Sequence, residues 1–308
     1  MHHKEMIDLA CHAPGTQRTI AVHRFGEPDA RPKVYIQAGI HADELPANLV
    51  ASRLLRHLVA ADAEGRITGE ITMVPLANPV GTDNYQSGRL MGRNLSATGQ
   101  NFNRGFNDVS QAVVARLKNG ETIENAIRAS LDEIQPRDEA RNLQLQLQKL
   151  AVGADIVLDL HTDSEAELHL YLDPDHWPQA ADLAGLLGVP VVMFARASGD
   201  NPFEETCAAP YLAARAAGHD VPLPFTTVIE LRGERDTQPA NTERDAAAIF
   251  KFLIARAVVD GNAGDIPAFT GIAADFSATD ILRSPAAGII SFRLPLGSMV
   301  EPGDVIAD

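Results

Sequence analysis

From about residue 33 to residue 260, short apolar runs alternate with longer amphipathic segments, and this alternation restricts the chain to an α/β fold. Most of the short runs are apolar throughout, which is typical of strands that helices cover on both faces of a sheet. The sequence therefore predicts a largely parallel sheet flanked by helices. An apolar content of 45% is enough to fill the core of such a domain.

The runs and segments give approximate limits for the elements. Strands are predicted over residues 33–38, 70–76, 155–160, 168–172, 189–194 and 226–231. Helices are predicted over residues 44–63, 110–118, 121–150, 180–187, 211–217 and 242–259.

The composition changes after Gly261, where Gly, Pro, Val and Ile occur in short pieces. We therefore predict two domains, an α/β domain over residues 1–261 and a small β-barrel-like module over residues 262–308. The turn GSMVEPGD at residues 297–304 resembles the turn of a biotinyl- or lipoyl-carrier barrel, but the last lysine in the chain is Lys251. We therefore expect an incomplete module with a structural or substrate-gating role, and not a cofactor carrier.

The formal net charge of −15 argues against polyanionic partners. Nucleic acids and anionic membrane surfaces need a basic footprint on the protein, so neither is expected to bind. No uncharged apolar run approaches about 18 residues, so no membrane span is predicted. The two cysteines, Cys11 and Cys207, are too few for a disulfide framework and favour a reducing, cytoplasmic location.

His41 and Glu44 follow the first predicted strand, at the entry to a long helix. Residues three apart on a helical turn project to the same side, as two ligands of one metal ion must. Taken alone, the pair is better explained by an acid that complements a helix N-terminus.

His161 changes this interpretation, because it follows an apolar strand directly. In open α/β sheets the ligand crevice lies beyond the carboxyl ends of the strands, where His41 is also expected. Two histidines and one carboxylate leave tetrahedral zinc an open position, so we predict one Zn²⁺ per chain. Asp159 shares a strand face with His161 and either orients its imidazole or is a buried acid satisfied by backbone amides.

Glu230 ends another apolar strand, where an unpaired carboxylate is costly. A glutamate near a metal site can take a proton from water and later hand it to a leaving amine. The alternative is a salt bridge from Glu230 to Arg232 or Arg235.

The long connection over residues 84–107 contains no acidic residue, although acids are common elsewhere in the chain. It carries Arg89, Arg93 and Arg104, and an arginine binds a carboxylate through a rigid two-pronged guanidinium. The alternative is an ordinary Gly- and Asn-rich loop. A long ordered loop inside a compact domain is more often functional, so a small carboxylate-bearing substrate is predicted.

Four motifs in this order resemble the succinylglutamate desuccinylase/aspartoacylase family, a branch of the zinc carboxypeptidase-like hydrolases: His41-x-x-Glu44, Asn103-Arg104, Asp159-Leu160-His161 and Glu230. The resemblance covers roughly residues 33–235, and the family also tends to carry a small C-terminal β module. It implies a zinc-carboxypeptidase-like mixed, mostly parallel sheet. It further implies zinc held by His41, Glu44 and His161, a substrate carboxylate held by Asn103 and Arg104, and Glu230 as general base and then acid.

The sequence departs from the family pattern at two arginines. Members that hydrolyse N-acyl aspartate carry an arginine about seven residues before the Asn-Arg pair, where this chain has Ser96. Arg89 and Arg93 are the nearby arginines that could replace it. We predict that Arg93 stabilises the oxyanion and that Arg89 helps to bind the substrate. A second arginine, expected some ten residues before Glu230, is absent. The resemblance therefore does not extend to the identity of the substrate.

The predicted function is zinc-dependent hydrolysis of the amide of a small N-acyl amino acid or a related N-acyl amine. Two alternatives stay open, a metallocarboxypeptidase that acts on peptides and a non-catalytic zinc- or ligand-binding protein. A homo-oligomer is also an open possibility.

Overall fold

The predicted strands pair side by side in the computed structural model, which describes residues 1–10 and 14–308 and so leaves out Cys11. The described part contains a nine-stranded sheet of order β1-β2-β4-β3-β7-β10-β8-β9-β11 and a separate hairpin, β5-β6. The strands are β1 His3–Asp8, β2 Thr19–Phe25, β3 Lys33–Ala38, β4 Glu70–Val74, β5 Tyr85–Gln86, β6 Arg89–Leu90, β7 Ile156–Asp163, β8 His169–Leu172, β9 Val191–Phe194, β10 Phe225–Gly233 and β11 Ile272–Asp275.

The sheet is mixed but mostly parallel, which confirms the predicted fold class. Strands β4, β3, β7 and β10 are parallel neighbours, and so are β8, β9 and β11. Strands β1 and β2 at one edge, and the β10–β8 pair, are antiparallel. The patterns used above do not predict β1 and β2, which lie before the alternating region.

Helices cover both faces of the sheet. They are α1 Leu45–Ala63, α2 Pro79–Thr82, α3 Ser110–Leu117, α4 Ile123–Asp132, α5 Glu139–Ala151, α6 Ala181–Leu187, α7 Phe203–Ala216 and α8 Pro239–Ala255. Strand β7 shows why two layers form, since Leu158 and Leu160 pack in the core with α1 and α8, whereas Val157 packs on the opposite side with α5 and α7.

Two helix predictions were wrong in their limits. The single helix expected over residues 121–150 is two helices, α4 and α5, because Pro136 interrupts the pattern and Asp138 accepts a hydrogen bond from the Arg141 N–H to begin α5. Helix α7 begins at Phe203 rather than at residue 211, and it contains Pro210 in its interior. This longer helix forms one wall of the cavity described below.

The C-terminal region contributes to the main sheet. Strand β11 pairs in parallel with β9, so the sheet continues past residue 261, and Phe292 forms an isolated bridge with Ala307 further along. The division into domains at 261/262 stays a prediction. Over residues 1–10 and 14–308, no helix combines the length and the apolar character needed to cross a membrane.

Candidate active site

Parallel pairing of β3 and β7 brings the first three candidate ligands together. Ala38, the last residue of β3, is level with Leu160, so His161 and the connection that carries His41 lie at the same edge of the sheet. Gly39 begins this connection with φ +72°, and a Cβ there would lie 2.2 Å from Asn48 Oδ1, so only glycine fits.

His41, Glu44 and His161 form a buried group in which one ligand atom from each lies within 4.8 Å of the others. His41 Nδ1 is 2.7 Å from Glu44 Oε1, and His161 Nδ1 is 2.9 Å from Glu44 Oε2. The Thr162 N–H also donates to Glu44 Oε2. Two imidazoles and one carboxylate in this convergent arrangement fit a divalent transition metal.

The other ring nitrogens of both histidines face oxygen atoms. His41 Nε2 is 2.8 Å from Asn101 Oδ1, and His161 Nε2 is 3.0 Å from Asp159 Oδ2. Asp159 is fully buried, and its Oδ1 accepts a hydrogen bond from Gln37 Nε2. Acceptors at Nε2 favour the tautomer that keeps the Nδ1 lone pairs available to a metal ion. Sequence reasoning missed this contact of Asn101, although Asn101 lies in the same stretch as Asn103.

The titration behaviour of the group follows from its contacts. Burial acts to raise the pKa of Glu44, but the charges and hydrogen bonds of His161 and His41 hold that pKa well below its usual range. Burial acts to lower the pKa of His161, yet the nearby carboxylates of Asp159 and Glu44 raise it well above its ordinary value. The site thus favours positive charge close to Glu44.

Glu230 lies beside His161, because β10 and β7 are parallel and these two residues are paired in register. Burial raises the pKa of Glu230 to about 7, and its buried Oε2 has no hydrogen-bond partner among the residues that the structure describes. Arg232 instead binds Asp245, with Nη1 2.6 Å from Oδ2. Within the described residues, no ion pair joins Glu230 to Arg232 or Arg235, so the salt-bridge alternative is not observed.

The acid-free connection brings three of its residues to the same place. The Arg93 guanidinium donates to Glu44 Oε1 at 2.9 Å, and Asn103 Nδ2 is 3.4 Å from His161 Nε2. Arg104 donates to the Asn103 carbonyl, and no ion pair joins it to any carboxylate in the described chain. Arg104 therefore keeps a cationic group available for an anionic ligand.

Most of the predicted site residues line one cavity of about 870 Å³. Seven predicted residues line it: His41, Glu44, Arg93, Asn103, Arg104, His161 and Glu230. Asp159 lies behind His161, whereas Arg89 is exposed on the β5–β6 hairpin and is not among the lining residues. The structure does not bring Arg89 together with the others.

Two acids of the cavity wall were not singled out from the sequence. Glu204 lies in the first turn of α7, and burial raises its pKa to about 8. Asp173 directly follows β8 and is only 8% exposed. The one local signal was the pair of acids at residues 204 and 205, which also suits an ordinary helix N-terminus.

The sheet, the His–Glu–His group and the adjacent buried glutamate define the class, an α/β protein of metallopeptidase-like fold with a candidate metal site. The model of the succinylglutamate desuccinylase/aspartoacylase catalytic domain matches residues 30–256. The chain therefore belongs to this family, which confirms the resemblance and makes it a hydrolase of the deacylase type. No protein of curated function matches the chain.

Solved structures agree with this assignment. A family protein from Shewanella frigidimarina NCIMB 400 is 25% identical, with 99% of this chain and 85% of that chain covered and a TM-score of 0.82. One from Shewanella amazonensis SB2B is also 25% identical, covering 99% and 86%, with a TM-score of 0.83. A product-bound ectoine utilization protein from Ruegeria pomeroyi shares the fold at 16% identity, with 100% and 81% covered and a TM-score of 0.66.

Proposed function

We propose that this protein is a zinc-dependent deacylase that hydrolyses the amide bond of a small N-acyl amino acid. The observation that carries the proposal is one cavity that joins three buried metal-ligand candidates with a buried glutamate and an arginine. Among the described residues, one oxygen of this glutamate has no hydrogen-bond partner and the arginine has no carboxylate partner. Together these supply the parts that amide hydrolysis requires. A cytoplasmic location remains a prediction from the cysteine content, and the oligomeric state remains open.

In this proposal, His41, Glu44 and His161 would hold one zinc ion. Zinc, when bound, supplies a Lewis acid that polarises an acyl carbonyl and acidifies water. Asp159 and Asn101 keep the imidazoles in the required orientation through their contacts with Nε2.

Glu230 acts as general base and then as general acid. Its carboxylate takes a proton from the attacking water and passes it to the leaving amine as the C–N bond breaks. A pKa of about 7, raised by burial, matches a group that must both accept and release a proton near neutral pH. Glu230 also lies on the strand next to His161, beside the metal-ligand group.

Asn103 and Arg104 orient the substrate by its carboxylate, and Arg93 stabilises negative charge that develops on the acyl oxygen. Arg104 suits the first role because no carboxylate of the described residues pairs with it. Arg93 suits the second because its guanidinium contacts Glu44, one of the candidate metal ligands. Fixing the carboxylate converts binding energy into alignment of the amide.

The proposal is tested with purified protein and a panel of N-acetyl, N-succinyl and N-formyl amino acids together with dipeptides. We expect one zinc per chain by elemental analysis, hydrolysis of at least one N-acyl amino acid, and loss of that activity on chelation with recovery on adding zinc. Cleavage of the dipeptides alone would instead indicate a carboxypeptidase. Protein that takes up no stoichiometric zinc would contradict the proposal.

Replacing Arg104 by alanine should weaken substrate binding more than it slows turnover. Loss of a charge-assisted hydrogen bond to a carboxylate costs about 1.5–3 kcal/mol, so we expect KM to rise roughly 10- to 100-fold. Steady-state kinetics measure the change. Arg89→Ala is the matched control, since Arg89 is an exposed arginine of the same connection outside the cavity lining. Equal KM values for the two variants would remove Arg104 from the substrate site.

A further inference from the structure

The cavity continues from the metal-ligand group along the length of β10. Thr226, Val228 and Glu230 lie on one face of this strand and all line the cavity. Across from them, Glu204, Ala208 and Leu212 line it from α7 at helical spacing.

The part of the cavity between residues 226–230 of β10 and residues 204–212 of α7 is called the slot. Strand and helix give similar values for its depth. From Thr226 to Glu230, four strand residues span about 13 Å. From Glu204 to Leu212, eight helical residues span about 12 Å. Helix α7 leads through residues 217–224 into β10, so the two elements run in opposite directions and Glu204 lies at the Glu230 end. The slot is therefore deeper than a short acyl group such as acetyl requires.

Asp173 lies at the far end of the slot. Strand β8 is antiparallel to β10, with Leu172 paired to Thr227, so Asp173 is level with Thr226. The Asp173 side chain is 8% exposed, and its Oδ1 accepts a hydrogen bond from the Asp175 N–H. Its buried Oδ2 has no hydrogen-bond partner in the described part of the chain. An unpartnered carboxylate oxygen in this position requires a donor.

Most of the ionisable side chains that line the cavity are acids. Besides Glu44 and Glu230, the cavity is lined by five acids: Asp163, Asp173, Glu204, Glu205 and Asp275. Apart from Arg93 and Arg104, the lining contains one arginine, Arg196, which is bound by both oxygens of Asp175 at 2.9 and 3.2 Å. Arg196 is also 3.7 Å from Asp173 Oδ1. Two aspartates and one arginine, Asp173, Asp175 and Arg196, therefore carry one formal negative charge in total.

Glu204 adds a second unpartnered oxygen nearer the metal-ligand group. Its Oε2 is buried without a hydrogen-bond partner, and burial raises its pKa to about 8. A positively charged group in the slot would stabilise the ionised carboxylate. Both acids thus select for the same chemistry, a cationic hydrogen-bond donor.

We infer that the substrate is the Nα-acyl derivative of a basic amino acid, whose arm passes Glu204 and whose ammonium group lies at the Asp173 end of the slot. This inference rests on the proposed function and names its substrate class. Water is added across the amide C–N bond, so the products are the acyl carboxylate and the free diamino acid. The α-carboxylate binds Arg104, whose guanidinium donates to the Asn103 carbonyl and pairs with no carboxylate of the described residues.

The length of the arm agrees with the slot. In an extended chain each bond of about 1.5 Å advances by roughly 1.25 Å, so the six bonds from the amide nitrogen of Nα-acetyl-lysine to its Nζ span about 7.5 Å. A hydrogen bond of about 2.8 Å brings the reach to about 10 Å. A lysine-sized arm therefore reaches from the Glu230 end towards Asp173.

The test compares Nα-acetyl-lysine with Nα-acetyl-norleucine, which has an uncharged arm of nearly the same length, and with Nα-acetyl-aspartate. We expect the zinc-loaded protein to favour the lysine derivative over the norleucine derivative at least 30-fold in kcat/KM, and to hydrolyse the aspartate derivative least. Isothermal titration with free lysine and free norleucine should show the same order without turnover.

Asp173→Asn should reduce the preference for the lysine derivative over the norleucine derivative at least tenfold, and Glu204→Gln should reduce it less. Asp220→Asn, an exposed acid between α7 and β10, is the control that should keep the preference. Equal rates on both derivatives, or an unchanged preference in both cavity variants, would overturn the inference and leave the deacylase proposal intact. A zinc-loaded protein that hydrolyses none of the three and no member of the wider N-acyl amino acid panel would overturn both.

Discussion

Glu230→Gln is expected to lower kcat/KM by about 10³- to 10⁴-fold while zinc remains bound. General base and acid catalysis by one residue contributes up to about 10⁴ in rate, which corresponds to about 5.5 kcal/mol of transition-state stabilisation. Glutamine keeps the size of the side chain but cannot take a proton from water. Steady-state kinetics and zinc analysis of the same preparation measure both quantities.

Glu234→Gln is the matched control for this variant, because Glu234 is an exposed acid just after β10. It should retain wild-type activity. If Glu230→Gln kept more than a tenth of the activity, Glu230 would not be the base, and a buried structural acid would describe it better. Full loss of turnover with retained zinc would also exclude a protein that only binds the metal.

His161→Ala is expected to abolish stoichiometric zinc binding, with an affinity at least about 1,000-fold weaker, equivalent to about 4 kcal/mol. The variant removes one of three ligand candidates, and Glu44 loses the imidazole that lies 2.9 Å from its Oε2. Competition with a chromophoric chelator measures the affinity, and circular dichroism checks that the variant folds.

Asp159→Asn provides a graded version of the same experiment. Because Asp159 contacts Nε2 of His161 and not the candidate ligand atom Nδ1, loss of its charge should weaken zinc binding about 10- to 100-fold. His219→Ala, in the loop after α7, should leave zinc binding unchanged. Full zinc content in His161→Ala at low free metal would rule out the proposed ligand set.

The centre of the site was predictable because strand ends are visible in the sequence. One apolar run leads to His41 and Glu44, and two others end at His161 and Glu230. Because the three strands are adjacent and parallel, their carboxyl ends lie at the same edge of the sheet. The distances between these side chains could not be predicted from the sequence and are known only from the structure. The contact of Asn101 with His41 also needed it, since no periodic pattern relates residues 60 positions apart.

The slot was not predictable for the same reason. Nothing near Glu204 in the sequence indicates that α7 faces β10, and Pro210 made a helix starting at Phe203 less evident. Asp173 follows an ordinary short strand, and only the antiparallel β8–β10 pairing places it opposite Thr226. The cavity-wall residues proposed to select the substrate are therefore harder to recognise in the sequence than the catalytic candidates at the strand ends.

Strand β11 has a consequence for how such an enzyme can change over evolution. Its last residue, Asp275, and the following Phe276 and Ser277 line the cavity, although the family's catalytic domain ends at residue 256 in this chain. The four residues proposed to bind zinc and move protons all precede that limit. One part of the cavity wall is therefore encoded outside the stretch of sequence that carries the reaction chemistry. Mutations in that part can alter the substrate range without altering the residues proposed to bind zinc and move protons.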